Sequence, residues 1–266
     1  MVQNTIGLNL GTVKNGTEAA TLVPNLDRVR HAGFQGVGLW QNNILQWLQA
    51  GLTIQELHDH VTGRNLKVDE ICFVEVLKRD GSVADQTNVF RWAKALGAAA
   101  VVCLYFRPDH PLDRVRSDWA EFVRTVQDIG VPAAFEFVGP WPQYNSPLQA
   151  WEVIQAGPEL GTMVFDTFHF WRGGCDLSQI EKIPGNRVSL AHLSDARDVP
   201  SQTAVDADRT YPGEGVIPLR QVLTGLVEQG FTGPLSIEIL GGAQEQNPAT
   251  VIKHAYEAAR KLVDSL

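Results

Sequence analysis

Short apolar segments alternate along the chain with longer stretches in which apolar residues recur every three or four positions. The short segments are rich in β-branched and aromatic residues, a pattern typical of buried strands. Eight of them are predicted to be strands: residues 5–10, 36–40, 67–74, 99–106, 132–138, 162–166, 187–193 and 234–240. The stretches between them predict helices, so the chain is a series of strand–helix units.

Residues 218–230 show the predicted helical pattern most clearly. Apolar side chains at helical spacing, with Pro218 at the start and Gly230 at the end, mark both boundaries of this helix. Glycines at 33, 97 and 130 likewise lie a few residues before a predicted strand. Each fits the left-handed position that ends a helix before the chain turns back toward a sheet.

The number and length of the units predict the fold. Eight units in 266 residues average about 33 residues each, a normal length for a strand–helix unit. We therefore expect the α/β class and a closed (β/α)₈ TIM barrel. An open doubly wound sheet is the alternative, but no GxGxxG follows the first strand. No linker interrupts the pattern, so residues 1–266 are expected to form a single domain.

Composition narrows the possible partners. With a net charge of −8 and a pI near 5.3, the protein is not expected to bind nucleic acid or anionic membranes. Its three cysteines, Cys72, Cys103 and Cys175, lie far apart without a CxxC, which suits a reducing cytoplasm. The first ten residues lack a signal-peptide pattern, and the longest nearly apolar run, 95–106, is too short to span a bilayer. A cytoplasmic location is expected.

The last four predicted strands each carry a metal-ligating side chain near the carboxyl end. They are Glu136 in "FEF", Asp166 in "FDT", His192 in "AHL" and Glu238 in "IEI". In such a barrel the chemistry lies at this end of the strands. Because neighbouring strands are about 4.8 Å apart, the four side chains can converge on one ion.

The types of these four side chains indicate which metal they would hold. Three carboxylates and one imidazole favour a single divalent ion, Mn²⁺, Mg²⁺ or Co²⁺, with Zn²⁺ possible. Any one buried carboxylate is more often a structural group with its own hydrogen bonds. Three together would repel one another and resist desolvation without a cation, so the set as a whole favours a metal site.

Other residues are candidates for contact with a ligand at the same end of the barrel. The long insertion 194–219 follows the seventh strand, and loops of this length are usually functional. Within it, Arg209 precedes "YPGEG" and is placed to reach a ligand oxygen, although it can equally be a surface arginine. The aromatic residues that can form an apolar wall, or simply pack the barrel, are Trp40, Phe73, Tyr105, Trp141 and Trp171. His110, after the fourth strand, is the one further histidine near the mouth.

Several motifs together resemble a known family. "FEFVG" (135–139), "FDTFHF" (165–170), "HLSDARD" (192–198), "DADRTYPGEGVIPL" (206–219) and "SIEIL" (236–240) are similar to the xylose-isomerase-like sugar isomerase/epimerase superfamily. The 2-keto-myo-inositol (inosose) isomerase type is the branch they resemble most. The similarity runs in order along the whole chain and is densest from 130 to 240.

The resemblance implies a function and a set of residues. It implies a metal-dependent isomerase or epimerase of a small polyhydroxylated keto compound, with proton transfer by Glu136 and Glu238 through an enediolate that the metal stabilises. It implies four metal ligands: Glu136, Asp166, His192 and Glu238. It also implies that His169 and Arg209 contact the substrate. The chain departs from the pattern at Trp40, where many relatives carry Glu, and at Glu214 within "GEG". Trp40 and Trp171 are the aromatic residues expected to contact the substrate.

Other functions remain open at this stage. A ketose 3-epimerase or a dehydratase of a 3-dehydroshikimate-like ring would use much the same ligands. An apurinic endonuclease-like barrel needs more metals and more histidine ligands than seven scattered histidines supply. A non-catalytic binding barrel is disfavoured because all four ligand positions are filled. The sequence leaves open whether the protein is a monomer or a homo-oligomer.

Overall fold

Eight parallel strands close into a barrel in the computed structural model, which describes residues 4–241 and 247–266. The barrel strands are β1 Ile6–Asn9, β2 Gly36–Trp40, β3 Lys67–Glu75, β4 Ala100–Leu104, β5 Ala133–Glu136, β6 Gly161–Asp166, β7 Val188–Leu193 and β8 Leu235–Ile237. Each strand pairs in parallel with its neighbours in the chain, and β1 pairs with β8 to close the ring. All eight predicted strands are present within a few residues of their expected bounds, and the (β/α)₈ prediction is confirmed.

Helices follow the strands and form the outer layer. They are α1 Ala19–Ala32, α2 Gln41–Gln49, α3 Ile54–Thr62, α4 Thr87–Leu96, α5 Leu112–Val126, α6 Pro147–Gln155, α7 Thr167–Arg172, α8 Leu219–Glu228 and α9 Pro248–Val263. Short 3₁₀ turns occur at Leu10–Thr12, Gln127–Ile129, Leu177–Lys182, Gly185–Arg187, Ser201–Thr203 and Asp206–Asp208. None of the helices in the described ranges is long and apolar enough to cross a membrane.

Helix α8 and the predicted helix-ending glycines behave as their patterns indicate. The helix buries its predicted apolar face, and Pro218 stands directly before its first residue. The glycines at 33, 97, 130 and 230 all have positive φ, between 65° and 111°, a region that favours glycine.

The insertion after β7 is fastened to the barrel end by one buried carboxylate. Asp195 lies in a two-stranded antiparallel ribbon, where it pairs with Thr210. Its side chain accepts hydrogen bonds from the backbone N–H groups of Gly213, Gly215 and Ile217 at 2.8–3.0 Å. The loop is therefore held in one conformation, and the ribbon directs Arg209 into the barrel.

A bulge in β3 turns two acidic side chains into the barrel. Val37 pairs with Val68, but the next residue, Gly38, pairs with Glu70, so that Asp69 is the extra residue. A Cβ atom at Gly38 would overlap the carboxylate of Glu70. The carboxylate of Asp69 likewise occupies the space that a Cβ atom at Gly7 or Gly36 would fill. The missing side chains of these glycines make room for both acids.

The predicted single domain, residues 1–266, stays a prediction. Residues 1–3 and 242–246 lie outside the described part of the chain.

The Asp69 carboxyl should make stability depend on pH. Asp69 is 3% exposed and its Oδ2 has no hydrogen-bond partner among the described residues. Burial, with the Glu70 carboxylate as a second cause, raises the pKa of Asp69 well above its usual value, although Lys67 opposes the rise. Above pH 4 the unfolded chain releases this proton and the folded protein keeps it, so stability falls as pH rises, by about 1.4 kcal/mol per pH unit, until the folded pKa is passed.

Asp69→Asn removes this dependence. We expect the free energy of unfolding of the variant, relative to that of the wild type, to increase as pH rises from 5 to 8. Urea denaturation with a chelator present measures both values. Asp128→Asn, which removes one negative charge at an exposed position, corrects for the change in net charge. A difference between Asp69→Asn and wild type that stays constant over this range would contradict the account.

Candidate metal centre

The four predicted ligands meet at the carboxyl end of the barrel. Glu136 and Asp166 are the last residues of β5 and β6, His192 lies next to the last in β7, and Glu238 follows β8 directly. These four strands are consecutive in the ring, and Asp166 pairs in register with His192. One ligand atom from each residue lies within 4.8 Å of all the others, and every residue is buried. The cluster can hold a metal ion.

His192 lies at the centre of the cluster. Its Nδ1 is 3.0 Å from Glu136 Oε1, 3.4 Å from Glu238 Oε2 and 4.0 Å from Asp166 Oδ2. On the other side of the ring, Nε2 is 2.7 Å from Oε2 of Glu70. Burial opposes a charged imidazole, but the carboxylates of Glu238, Glu70 and Glu136 outweigh it and raise the pKa of His192 well above its usual value.

Asp166 is shared between the cluster, a helix and an arginine. It is the N-cap of α7, where its Oδ1 accepts a hydrogen bond from the backbone N–H of His169 at 2.8 Å. Its Oδ2 accepts from Arg209 Nη1 at 3.0 Å. Burial alone would raise the pKa of Asp166, but Arg209, His169 and His192 lower it to about 2. A carboxylate offers about four acceptor positions, so these two bonds leave room for a metal.

Negative charge exceeds positive charge in this buried region. Glu70, Glu136, Asp166 and Glu238 face one guanidinium and one imidazole. Burial raises the pKa of Glu238 to about 8, with Glu136 and Asp166 adding to the rise and His192 and Arg209 opposing it. The donor types and the excess negative charge both fit a divalent cation.

Arg209 is a buried cation beside the cluster, not a surface arginine. It is 2% exposed, and its guanidinium carbon lies 4.5 Å from the centre of the Phe168 ring. In addition to Asp166, its hydrogen-bond acceptors are Asp206 Oδ1, Ser194 Oγ and the Glu238 carbonyl, at 3.1–3.4 Å. Its Nη2 is buried and has no hydrogen-bond partner in residues 4–241 and 247–266. This N–H group remains to bind a ligand.

A cavity of about 320 Å³ opens above the cluster. That volume is in the range of pockets for small ligands. Glu136, Glu238, Arg209 and His169 supply polar atoms to its wall. Its aromatic lining is Trp40, Phe73, Phe106 and Trp141. His169 also offers an unpartnered buried atom, Nδ1, and burial lowers the pKa of this ring, which keeps it neutral.

Trp171 does not line the cavity, contrary to the prediction that it contacts the substrate. Its ring packs against Phe168. The reason is helix geometry, because successive side chains in α7 diverge by roughly 100°. Trp171 therefore faces away from His169, and Arg172, three residues after His169, returns to the cavity side.

Three other candidates lie away from the cavity wall. The hydroxyl of Tyr105 is bonded to Asp118 and His110, at 2.5 and 2.6 Å, which also accounts for His110. Glu214 bonds Nε2 of His254 at 2.6 Å on the surface.

The ring of Trp40 does line the cavity, although its Nε1 donates to Asn9 Oδ1 at 2.6 Å.

Sequence reasoning missed three residues at this site: Asn9, Glu70 and Arg172. A signal existed for Glu70, since "VDEI" places two acids inside an apolar strand. A signal existed for Asn9 as well, since it ends the first strand as the four predicted ligands end or nearly end theirs. Arg172 carried no signal of its own, because only the helix after Asp166 brings it to the cavity.

The fold and the cluster together define a TIM barrel with a candidate metal-binding site at the carboxyl ends of its strands. The family model for the xylose isomerase-like TIM barrel matches residues 26–262. The chain belongs to this family.

Individual relatives give a finer comparison. The chain is 36% identical over 121 residues to an inosose isomerase of Halalkalibacterium halodurans, covering 45% of this chain and 43% of the relative. It is 24% identical over 274 residues to a 3-dehydroshikimate dehydratase of Pseudomonas aeruginosa, covering 92% of this chain and 40% of that protein. The chain thus spans less than half the length of either relative.

A solved structure extends the likeness in fold over the whole chain. The crystal structure of the IOLI protein with a bound zinc atom superposes with a TM-score of 0.85 at 20% identity, covering 98% of each chain. At this identity the likeness concerns the fold.

The ion pair of Arg209 with Asp166 should dominate the stability of the metal-free protein. Arg209→Met leaves Asp166, Glu238 and Asp206 without their cation, and we expect a loss of about 3–5 kcal/mol in the free energy of unfolding. Asp166→Asn keeps the helix cap and removes one of the repelling charges. In the Arg209→Met background it should therefore raise stability, measured by chemical denaturation with a chelator present.

Arg187→Met is the matched control for this cycle. Arg187 packs over Trp151 at 5.4 Å and donates to the Gly161 carbonyl, with no ion pair recorded for it in the described ranges. Asp166→Asn should have the same effect in the Arg187→Met background as in the wild type. If it also had the same effect in the Arg209→Met background, Arg209 and Asp166 would not be coupled.

Proposed function

We propose that this chain is a divalent-metal-dependent isomerase or epimerase of a small keto-polyol or keto-sugar, with an inosose-like substrate as the leading candidate. The observation that carries the proposal is the buried cluster of Glu136, Asp166, His192 and Glu238 at the barrel mouth, with ligand atoms within 4.8 Å of one another. The similarity to inosose isomerases and the zinc-bound IOLI structure support it.

The four side chains of the cluster would hold the metal. Their hard, oxygen-rich donor set favours Mn²⁺, Mg²⁺ or Co²⁺, and the zinc atom in the similar structure makes Zn²⁺ an equal candidate. When bound, a divalent ion supplies a Lewis acid that stabilises negative charge on the carbonyl and neighbouring hydroxyl oxygens of the substrate.

Glu136 and Glu238 are proposed to move the proton. They stand at the two ends of the arc of four strands, β5 to β8, and both line the cavity. A substrate bound between them would present opposite faces to the two carboxylates. One carboxylate takes the proton α to the carbonyl. Its return to the former carbonyl carbon, with the proton of the neighbouring hydroxyl passing to the former carbonyl oxygen, isomerises the substrate. Delivery of a proton to the opposite face of the same carbon by the other carboxylate epimerises it.

His169 and Arg209 are proposed to bind substrate oxygens. Both residues line the cavity, and each has a buried nitrogen that lacks a hydrogen-bond partner within the described chain, Nδ1 of His169 and Nη2 of Arg209. The neutral ring of His169 can hydrogen-bond a hydroxyl, and the Arg209 guanidinium can stabilise charge that develops on an oxygen. The ring of Trp40 supplies an apolar wall for the carbon face of the substrate.

A dehydratase of a 3-dehydroshikimate-like keto acid is the second candidate, because Arg172 favours an acidic substrate. Arg172 lines the cavity, and its Nε is buried without a partner in the parts of the chain that the structure describes. Unlike Arg209, it has no ion pair recorded there. A substrate carboxylate would supply the missing partner.

A cytoplasmic location is also proposed. All three cysteines are free thiols, and Cys72 and Cys103 are buried, which is in keeping with a reducing compartment.

Proton exchange tests the proposed reaction. Wild-type protein with Mn²⁺ should incorporate solvent deuterium into at least one of a panel of inososes, ketohexoses and 3-dehydroshikimate, followed by NMR. With saturating metal, Glu136→Gln and Glu238→Gln should each slow the exchange by about 100- to 10,000-fold, because each removes a group that moves the proton. Glu214→Gln, on the surface, is the control and should exchange at the wild-type rate. Deuterium entering none of the compounds would exclude the proposed function.

Arg172→Met separates the two candidate substrates. If the substrate is a keto acid, losing a charge-assisted hydrogen bond of about 1.5–3 kcal/mol should lower kcat/KM for 3-dehydroshikimate by about 10- to 100-fold. The same change should leave kcat/KM for a neutral inosose nearly unaltered. Equal losses on both compounds would show that Arg172 does not recognise a carboxylate.

A further inference from the structure

Glu70 is a buried acid below the metal cluster that none of the proposed chemical steps uses. It is 0% exposed and lies in β3, on the opposite side of His192 from the other carboxylates. Its Oε2 is 2.7 Å from Nε2 of His192. Nδ1 of the same ring faces Glu136 and Glu238, at 3.0 and 3.4 Å. The two nitrogens of His192 therefore face different carboxylates.

The other oxygen of Glu70 is held in place by two donors. Ser236 Oγ donates to Oε1 at 2.7 Å, and Asn9 Nδ2 donates to it at 3.0 Å. The amide of Asn9 is itself oriented, since its Oδ1 accepts from Gly11 N at 2.9 Å and from Trp40 Nε1 at 2.6 Å. Glu70 thus has one available orientation, with Oε2 toward His192.

Glu70 does not look like a ligand of a second metal, although a ligand atom each from Glu70, Cys72 and His192 lies within 4.8 Å of the other two. An ion there would displace the bond from Glu70 to His192. The hydrogen bonds already made account for both oxygens of Glu70.

We propose that Glu70 is a positioning residue for the metal centre: it accepts the Nε2–H of His192 and so presents the Nδ1 lone pair of this ring to the ion. The inference rests on the proposed metal centre. A carboxylate is only an acceptor when ionised, so it selects the Nε2–H tautomer. Partners of this kind also fix the orientation of the ring and strengthen its bond to the metal. Gly38 contributes to the same arrangement, because a side chain at this position would overlap Glu70.

The wild-type protein tests the assignment without any substitution. In zinc-loaded protein labelled with ¹⁵N at histidine, long-range ¹H–¹⁵N spectra should show His192 with its proton on Nε2 and zinc on Nδ1. A ring with its proton on Nδ1 and zinc on Nε2 would overturn the inference. Wild-type protein that binds no divalent metal would overturn both this inference and the proposed metal centre.

Glu70→Gln tests how much the contact contributes. If the glutamine oxygen stays with Asn9 and Ser236, its NH₂ group faces Nε2 and favours the tautomer that cannot bind the metal through Nδ1. We expect zinc affinity, measured by competition with a chelator at constant pH, to fall about 10- to 100-fold. In the variant that has bound zinc through Nδ1, His192 must carry its proton on Nε2, and the signal of this proton should lie upfield of the wild-type signal because its acceptor is no longer a carboxylate.

Asp69→Asn is the matched control. Asp69 is the adjacent buried acid in the same strand and faces the glycines at 7 and 36. This variant should keep wild-type zinc affinity, and thermal unfolding of both variants shows whether each is folded. If Glu70→Gln is folded and binds zinc as tightly as Asp69→Asn, Glu70 does not position His192, while the metal centre itself stands.

Discussion

The barrel interior near the carboxyl ends of the strands holds more acidic groups than its two cations can neutralise. Much of the surrounding structure compensates for this excess of negative charge. Four carboxylates, one imidazole and one guanidinium share a region from which water is largely excluded. Buried charges without partners are strongly destabilising. Two of the acids are held by several donors: Asp166 by a helix N-terminus and Arg209, Glu70 by Asn9 and Ser236. The remaining negative charge, nearest to Glu136 and Glu238, is what a divalent ion would neutralise.

The loop after β7 supplies Arg209, a cation that reaches the cluster from outside the sheet. Asp195 fastens this loop through three backbone N–H groups, and the short ribbon turns Arg209 inward. The guanidinium stabilises Asp166, and its Nη2 has no hydrogen-bond partner among the described residues. A loop that is long in sequence thus behaves as a fixed part of the site.

Helix α7 links the metal cluster to the cavity above it. Asp166 ends β6 and caps the helix, so the first turn begins at the cluster and its side chains are placed by helical geometry. His169 and Arg172 lie three residues apart and face the cavity, whereas Trp171 lies on the other side. The short segment from 166 to 172 therefore combines one residue of the metal cluster with two residues that line the cavity.

The sequence by itself was enough to predict the eight strands, the closed barrel and the meeting of Glu136, Asp166, His192 and Glu238. This was possible because strand ends in a parallel barrel lie at one rim, so position along the strand is also position in space. Only the tertiary structure decided the positions and contacts of Glu70, Asn9, Arg172 and Trp171. Glu70 faces the cluster because of a bulge in β3 and the missing side chain at Gly38. Arg172 rather than Trp171 lines the cavity because successive side chains in α7 diverge by roughly 100°. Contacts of this kind depend on which way a side chain turns across the barrel, and spacing along the chain does not specify that direction.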